Sequence, residues 1–305
     1  MVSVIIPTYN RENLISETIQ SVLDQTFSNF ELIIIDDGST DGTKEVVNSF
    51  SDDRIRYIYQ SNCGRSYARN HALNIACGRY ITFLDSDDLY LPDKLQLQVV
   101  FLDMHPKFGM VYTSAYCMNE AGTLLSDSYK ATVSGQIYKD IAFYVPVTIT
   151  LPTVMVRREV FDKVGGFDVK MDRFEDTDMW RRISREFLVG AIPHFTCKLR
   201  THSGNALAGQ DPVNIFAAVM FYIEKVFSED DSMSLCVRLK GASDLCFFYA
   251  RALLTLPCAV AVGRKLLIKS IRYKPITIYR LTFLTYYFFL RVYKKWQTSK
   301  LQEKG

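Results

Sequence analysis

Several function classes are ruled out by what this chain does not contain. Its seven cysteines (Cys63, Cys77, Cys117, Cys197, Cys236, Cys246 and Cys258) are odd in number and scattered, with no CxxC pair. That pattern argues against a disulfide framework and against a zinc site, and a reducing, cytosolic setting is the expectation. No apolar run approaches the roughly 20 residues that a membrane-spanning helix needs. The late segment Leu281 to Leu290 covers ten positions between Arg280 and Arg291. The first strand-like segment is followed by neither a GxGxxG nor a glycine-rich basic loop. The first absence argues against a dehydrogenase and the second against a sugar nucleotidylyltransferase. No Ser/His/Asp or Cys/His set is evident, and there is no internal repeat or low-complexity segment. No signal peptide is read at the N-terminus.

What remains is an ordered globular chain. Of its 305 residues, 48% are hydrophobic and 23% charged, which suits one α/β domain plus a smaller helical piece. Strand-like runs (Val2–Ile6, Glu31–Ile35, Arg54–Tyr59, Tyr80–Leu84) alternate with helical periodicities. Among the helices, Leu14 to Leu23 has Asn10 as a candidate cap, and Ser66 to Ala76 is closed by Gly78. A further helix lies between Pro92 and Pro106. This alternation predicts parallel βα units. From Gly109 the order changes: strands over Gly109–Tyr116 and Thr153–Arg157 flank a long polar stretch, 117–150. A helix over Glu175–Arg185 follows, then short strands near Leu188–Ile192 and Thr196–Arg200. The expected organisation is a sheet domain over 1–210 and a helical region over 211–305.

The chemistry concentrates at strand ends. Tyr80-Ile81-Thr82-Phe83-Leu84 breaks into Asp85-Ser86-Asp87-Asp88, and Leu32-Ile33-Ile34-Ile35 breaks into Asp36-Asp37-Gly38-Ser39. Clustered carboxylates repel one another unless a cation or strong donors sit among them. Oxygen ligands of this kind suit Mg²⁺ or Mn²⁺. In open α/β sheets the ligand crevice lies at the carboxyl ends of the strands, so Thr8, Asp37, Asp85 and Asp87 are expected to face one pocket.

Charge is unevenly spread. The net charge is +3, yet from Gly263 to the end there are eleven Lys/Arg against a single Glu. That tail calls for an anionic partner, and with its interleaved aromatics the expectation is an anionic membrane surface rather than nucleic acid.

Seven motifs in order resemble the family 2 glycosyltransferases of the GT-A fold over residues 2–205. They are Val4-Ile5-Ile6-Pro7-Thr8-Tyr9-Asn10, Ser21-Val22-Leu23-Asp24-Gln25-Thr26, Asp36 to Asp41, Asn62-Cys63-Gly64 with Ala68-Arg69-Asn70, Phe83 to Asp88, Gly165-Gly166-Phe167-Asp168, and Glu175 to Trp180. The resemblance implies an α/β fold with a mixed, mostly parallel sheet between helices and a helical C-terminal region. It implies an inverting, metal-dependent transferase moving a sugar from a nucleoside-diphosphate donor, with uridine the usual base. The acceptor would be a hydroxyl of a glycan or lipid-linked molecule, in cell-surface polysaccharide synthesis.

Carried over residue by residue, Pro7, Thr8, Tyr9 and Asp37 would hold the base. Arg69, Asp85 and Ser86 would meet the donor, and Asp87 and His202 would hold Mn²⁺ or Mg²⁺. The Glu175-Asp176 pair would carry the general base, with Asp176 the choice. The protein would be cytoplasmic, peripheral on the inner face of the membrane. The alternative is a catalytically inactive sugar-nucleotide-binding or scaffold protein of the same fold. The stretch 117–150 departs from the family's spacing, so acceptor identity is not carried over.

Overall fold

A computed structural model describes residues 1–143, 147–201 and 209–274. The chain divides into two compact units, residues 1–237 and 238–305. In the first unit the strands are β1 (Val2–Thr8), β2 (Phe30–Asp36), β3 (Ile55–Tyr59), β4 (Tyr80–Phe83), β5 (Leu89–Tyr90), β6 (Phe108–Met118), β7 (Leu124–Tyr129), β8 (Val154–Arg157) and β9 (Leu188–Arg200). Its helices are α1 (Ile15–Leu23), α2 (Thr43–Asn48), α3 (Arg65–Ile75), α4 (Lys94–Met104), α5 (Tyr138–Ile141), α6 (Arg158–Val164), α7 (Glu175–Glu186) and α8 (Pro212–Glu229).

All nine strands form one sheet in the order β3-β2-β1-β4-β8-β6-β9-β5, with β7 paired to β6 outside that path. Strands β3, β2, β1 and β4 are parallel, and β8 joins antiparallel to both β4 and β6. The continuous apolar runs have a simple cause, since successive side chains point to opposite faces and both faces are covered. Ile5, Ile33, Ile35, Ile81 and Phe83 enter one core with Trp180. Val4, Ile6, Leu32, Ile34 and Tyr80 enter the other with Ile15 and Ile19.

The chain lays out β1, β2 and β3 in one direction, then crosses back to place β4 on the other side of β1. Such a switch point opens a crevice at the strands' carboxyl ends. There, Asp37 N–H donates to the Thr8 carbonyl at 2.8 Å, and Leu84 N–H to the Ile5 carbonyl at 2.9 Å.

Three local expectations are revised. Asn10 does not cap α1. It takes a left-handed φ of 50°, and its Oδ1 accepts from Thr40 N–H at 2.8 Å while its own N–H donates to Ser39 Oγ. It therefore ties the loop after β1 to the loop after β2. Gly78 does not close α3 with a left-handed turn. A Cβ there would meet Ser3 N at 2.5 Å, so its smallness permits close packing against β1. The two short strands foreseen around Pro193 are one strand, β9. Its register against β6 shifts between Ile192 and Phe195, and this bulge accommodates a residue that cannot donate to the ladder.

The second unit continues α9 (Leu235–Leu254) and α10 (Val260–Tyr273). Ser243 Oγ on α9 donates to the Ser270 carbonyl on α10 at 2.7 Å, and Leu245, Leu253 and Leu266 are buried. The exposed positions of α10 include Arg264, Lys265 and Arg272. Among the described residues no helix is long and apolar enough to cross a membrane. The apolar segment Leu281 to Leu290 and most of the basic tail lie outside the described residues.

Candidate active site

A pocket of about 540 Å³ occupies the switch-point crevice, within the range usual for small-molecule sites. Pro7, Thr8, Tyr9, Asp37, Arg69, Asp85, Ser86, Asp87 and Asp176 all line it. The structure thus gathers nine of the eleven residues picked out from the sequence. Glu175 stands behind the wall, and His202 lies outside the described residues.

Each position has a local cause. Thr8 ends β1, and its side chain is buried with Oγ1 lacking a hydrogen-bond partner. Tyr9, beyond the strand, is exposed. Asp37 is buried, and its oxygens accept from Gln60 Nε2 (2.7 Å), Cys63 N–H (2.9 Å) and Gly64 N–H (2.7 Å). A carboxylate has about four acceptor sites, so one remains for a ligand. Gly64 makes this clasp feasible, because its φ of 93° starts α3 in a region that side chains disfavour.

Arg69, on α3, is 2% exposed. Its Nη2 donates to Asp85 Oδ1 at 2.9 Å and its Nη1 to Glu175 Oε1 at 3.1 Å, while Nε is buried without a partner. Glu175 Oε1 is also 3.0 Å from Arg65 Nε, so this carboxylate is engaged by two guanidiniums. Asp176, the next residue, faces the pocket, and its Oδ1 accepts from Thr177 N–H at 2.6 Å and from Thr177 Oγ1 at 3.3 Å. Burial, reinforced by the charge of Glu175, pushes the Asp176 carboxyl up to about 6. That value suits a group that accepts protons near neutral pH. Of the pair, Asp176 is the one available to a ligand.

The acidic loop after β4 is crowded. Burial first, then the charges of Asp85 and Asp87, raise Asp88 well above the usual carboxylate range. Asp87 Oδ2 lies 3.9 Å from Arg11 Nη2. Among the described residues no three His, Cys, Asp or Glu side chains cluster as a complete metal cage.

Residues not singled out from the sequence complete the site. Arg11 and Arg65 line the pocket, as do Asp88, Tyr129 and Arg200. Arg200 ends β9 and clamps the acidic loop. Its N–H donates to Asp88 Oδ1 at 2.7 Å, its Nε to the Asp87 carbonyl at 2.9 Å, and its Nη2 to Glu17 Oε2 at 2.8 Å. The available signal was its place beside Thr201-His202. Tyr129 ends β7, in the polar stretch for which no element was foreseen.

Paired acidic strand ends and a basic corner thus meet at the switch point of this fold, and the comparisons identify the class as glycosyltransferase. The family model for glycosyl transferase family 2 matches residues 3–165, and the chain belongs to that family. An uncharacterized glycosyltransferase of Rickettsia felis is 39% identical over 204 residues, covering 67% of this chain and 33% of the relative. The chain thus spans about a third of the length of the first curated relatives it matches. A shorter stretch of 100 residues is 48% identical to the Escherichia coli UDP-Glc:alpha-D-GlcNAc-diphosphoundecaprenol beta-1,3-glucosyltransferase WfgD, covering 32% of this chain and 40% of that one. Among solved structures, S. aureus TarS 1–349 in complex with UDP-GlcNAc superposes with a TM-score of 0.68 at 19% identity, covering 88% of this chain and 79% of TarS. The fold is therefore GT-A-like, with a mixed sheet, flanking helices and a helical C-terminal region.

Proposed function

We propose that the protein is an inverting glycosyltransferase. It moves a sugar from a nucleoside-diphosphate donor, a UDP-sugar, to a hydroxyl of a glycan or lipid-linked acceptor in cell-surface polysaccharide synthesis. The observation that carries this reading is the convergence of Thr8, Asp37, Arg69, Asp85, Asp87 and Asp176 on one pocket. Uridine is supported by the UDP-GlcNAc complex of TarS. A lipid-linked acceptor is supported by the diphosphoundecaprenol substrate in the name of the E. coli relative.

In this reading Thr8, with its buried and unpartnered hydroxyl, and the remaining acceptor site of Asp37 orient the base, and Pro7 and Tyr9 flank it. Arg69, locked by Asp85 and Glu175, sets fixed positive charge beside the diphosphate, where preorganised charge is most effective. Ser86 lies between Asp85 and Asp87 in the pocket wall.

The donor set fits Mn²⁺ or Mg²⁺, which take one or two carboxylates and leave other positions to water and substrate phosphates. Asp87 would hold the ion, with Asp85 adjacent and His202 completing the set. When bound, the ion supplies Lewis-acid stabilisation of the departing diphosphate. Asp176 takes the proton from the acceptor hydroxyl as it attacks the face opposite the leaving group, which inverts the anomeric centre.

The two domains are read as a catalytic portion, 1–210, and a helical region, 211–305. The basic, acid-free α10 supports a peripheral position on an anionic membrane at the cytoplasmic face, where each Lys or Arg near the surface contributes about 1 kcal/mol.

A panel of uridine, guanosine and thymidine diphosphate sugars with Mn²⁺ or Mg²⁺ tests this function. UDP-sugars are expected to raise the melting temperature and, with acceptor, to release UDP. Binding without release identifies an inactive sugar-nucleotide-binding protein, and no binding ends the donor reading.

A further inference from the structure

A second cavity, of about 640 Å³, adjoins the donor pocket and shares Arg65 with it. One side is the loop before α7, with Lys170, Asp172 and Arg173. The other is a face of α8 carrying Ala217, Ala218 and the exposed ring of Phe221. The loop's path is fixed by residues facing inward. Met171 and Phe174 are buried, Phe174 stacks on Tyr222 of α8 at 5.1 Å, and its left-handed φ of 62° turns the chain into α7.

That turn places the cationic loop directly before the Glu175-Asp176 pair. The Cα atoms of Arg173 and Asp176 are separated by three residues, so they lie within about 11 Å even if fully extended. Arg65 is paired with Glu175. Lys170 and Arg173 have no ion-pair partner among the described residues, and Asp172 and Asp211 are the acids in the lining.

We propose that this cavity is the acceptor subsite and that it selects an acceptor carrying a phosphate or diphosphate on the sugar that is attacked, with Lys170 and Arg173 contacting the anion. The proposal rests on the transferase reading above. The donor's own diphosphate belongs beside Asp85, Asp87 and Arg69, which line the first pocket and not this cavity. Lys170 and Arg173 line this cavity and not the first pocket, so they are left to serve the partner substrate. A phosphate one sugar ring from the attacked hydroxyl would lie against Lys170 and Arg173 while the hydroxyl reaches Asp176. The small side chains Ala217 and Ala218 leave room for the ring, and Phe221 offers it an apolar face.

The test is an NMR titration of the full chain, holding saturating UDP and Mg²⁺, with α-glucose 1-phosphate, methyl α-glucoside and inorganic phosphate. The sugar phosphate is expected to bind at least about tenfold more tightly than the uncharged glucoside, the scale of one charge-assisted hydrogen bond. It should also outbind inorganic phosphate. The Lys170→Ala/Arg173→Ala double variant should lose that preference while its UDP affinity and melting temperature stay unchanged, and the Lys170→Arg variant should keep it. Equal binding of sugar phosphate and glucoside overturns the proposal, as does an unaltered preference in the double variant. Inorganic phosphate binding as tightly as the sugar phosphate makes the cavity a general anion site and overturns the acceptor assignment. Failure of UDP itself to bind would instead strike the donor reading, and the three titrations repeated without UDP then judge the cavity by itself.

Discussion

Two carboxylates on one helix, Asp176 half-buried at the pocket wall and Asp178 fully buried, titrate in opposite directions. At Asp178 burial pushes the carboxyl up, but Arg182, Arg181 and Lys225 overcome it and the group is held below its ordinary range. Its Oδ1 accepts from Arg181 Nη2 at 2.8 Å and its Oδ2 from Arg182 Nε at 2.9 Å. Arg181, fully buried, also reaches Asp230 at 2.7 Å, which fastens α7 to the residue just after α8. At Asp176 burial meets another carboxylate, Glu175, whose nearest cations are already engaged, and the group rises to about 6. Environment, rather than residue type, separates a structural carboxylate from one fitted to move protons. The ion pairs around Asp178 hold the helix so that Asp176 at its start faces the pocket.

The contrast can be broken from either end. On the structural side, Arg181→Met removes from Asp178 and Asp230 the one cation they share, leaving both buried with Arg182, Lys225 and Arg185 as remaining partners. A loss of about 3–5 kcal/mol is expected, the usual consequence of removing one member of a buried pair. Denaturant unfolding measures it, and a loss below about 1 kcal/mol would mean the network is not what fixes α7.

On the pocket side, Asp87→Ala should lower turnover by about 100-fold or more while leaving the melting temperature in place, and excess chelator should do the same to the unmodified protein. Full activity in chelator would remove the metal from the account.

The pH dependence is sharper still. A base at about 6 is protonated below that pH, so transfer should fall about tenfold per pH unit under 6 and level off above it. Stability carries the same signature with a definite sign. Between the unfolded value near 4 and the folded value near 6, the unfolded chain ionises this group while the folded protein keeps its proton, so stability falls as pH rises through that window. Asp176→Asn removes the effect. The variant should match the wild type below pH 4 and exceed it above pH 6 by about 1 kcal/mol, after discounting for partial solvent exposure. Parallel melting curves at pH 4 and 8 would show a difference only at the higher pH, and an equal shift at both would remove Asp176 as its source.

Much of the donor side was legible in the sequence because its physics is local. β1, β2 and β4 are buried on both faces, so they read as unbroken apolar runs, and the acids that stop them fall at the strand ends that share a crevice. The structural side was not legible for the converse reason. Nothing in Glu175-Asp176-Thr177-Asp178 tells which acid is neutralised, since the cations that decide it include Lys225, 47 positions away. Lysines are almost never fully buried, yet Lys94 is, and it bonds Thr82 Oγ1 at 2.9 Å and Gln98 Oε1 at 2.6 Å. Pro193 masked the continuity of β9, because a bulge paired from β6 is invisible along the strand itself.

The central claim is that Asp176 is a proton acceptor in a sugar-transfer site and that Glu175 behind it is not. Acceptor-dependent release of UDP by Asp176→Asn, measured alongside its donor affinity, tests this most directly. The account predicts unchanged donor binding and a loss of transfer of at least about 100-fold, the scale of general-base removal. Transfer at the wild-type rate, or a larger loss in Glu175→Gln with donor affinity intact, would contradict it.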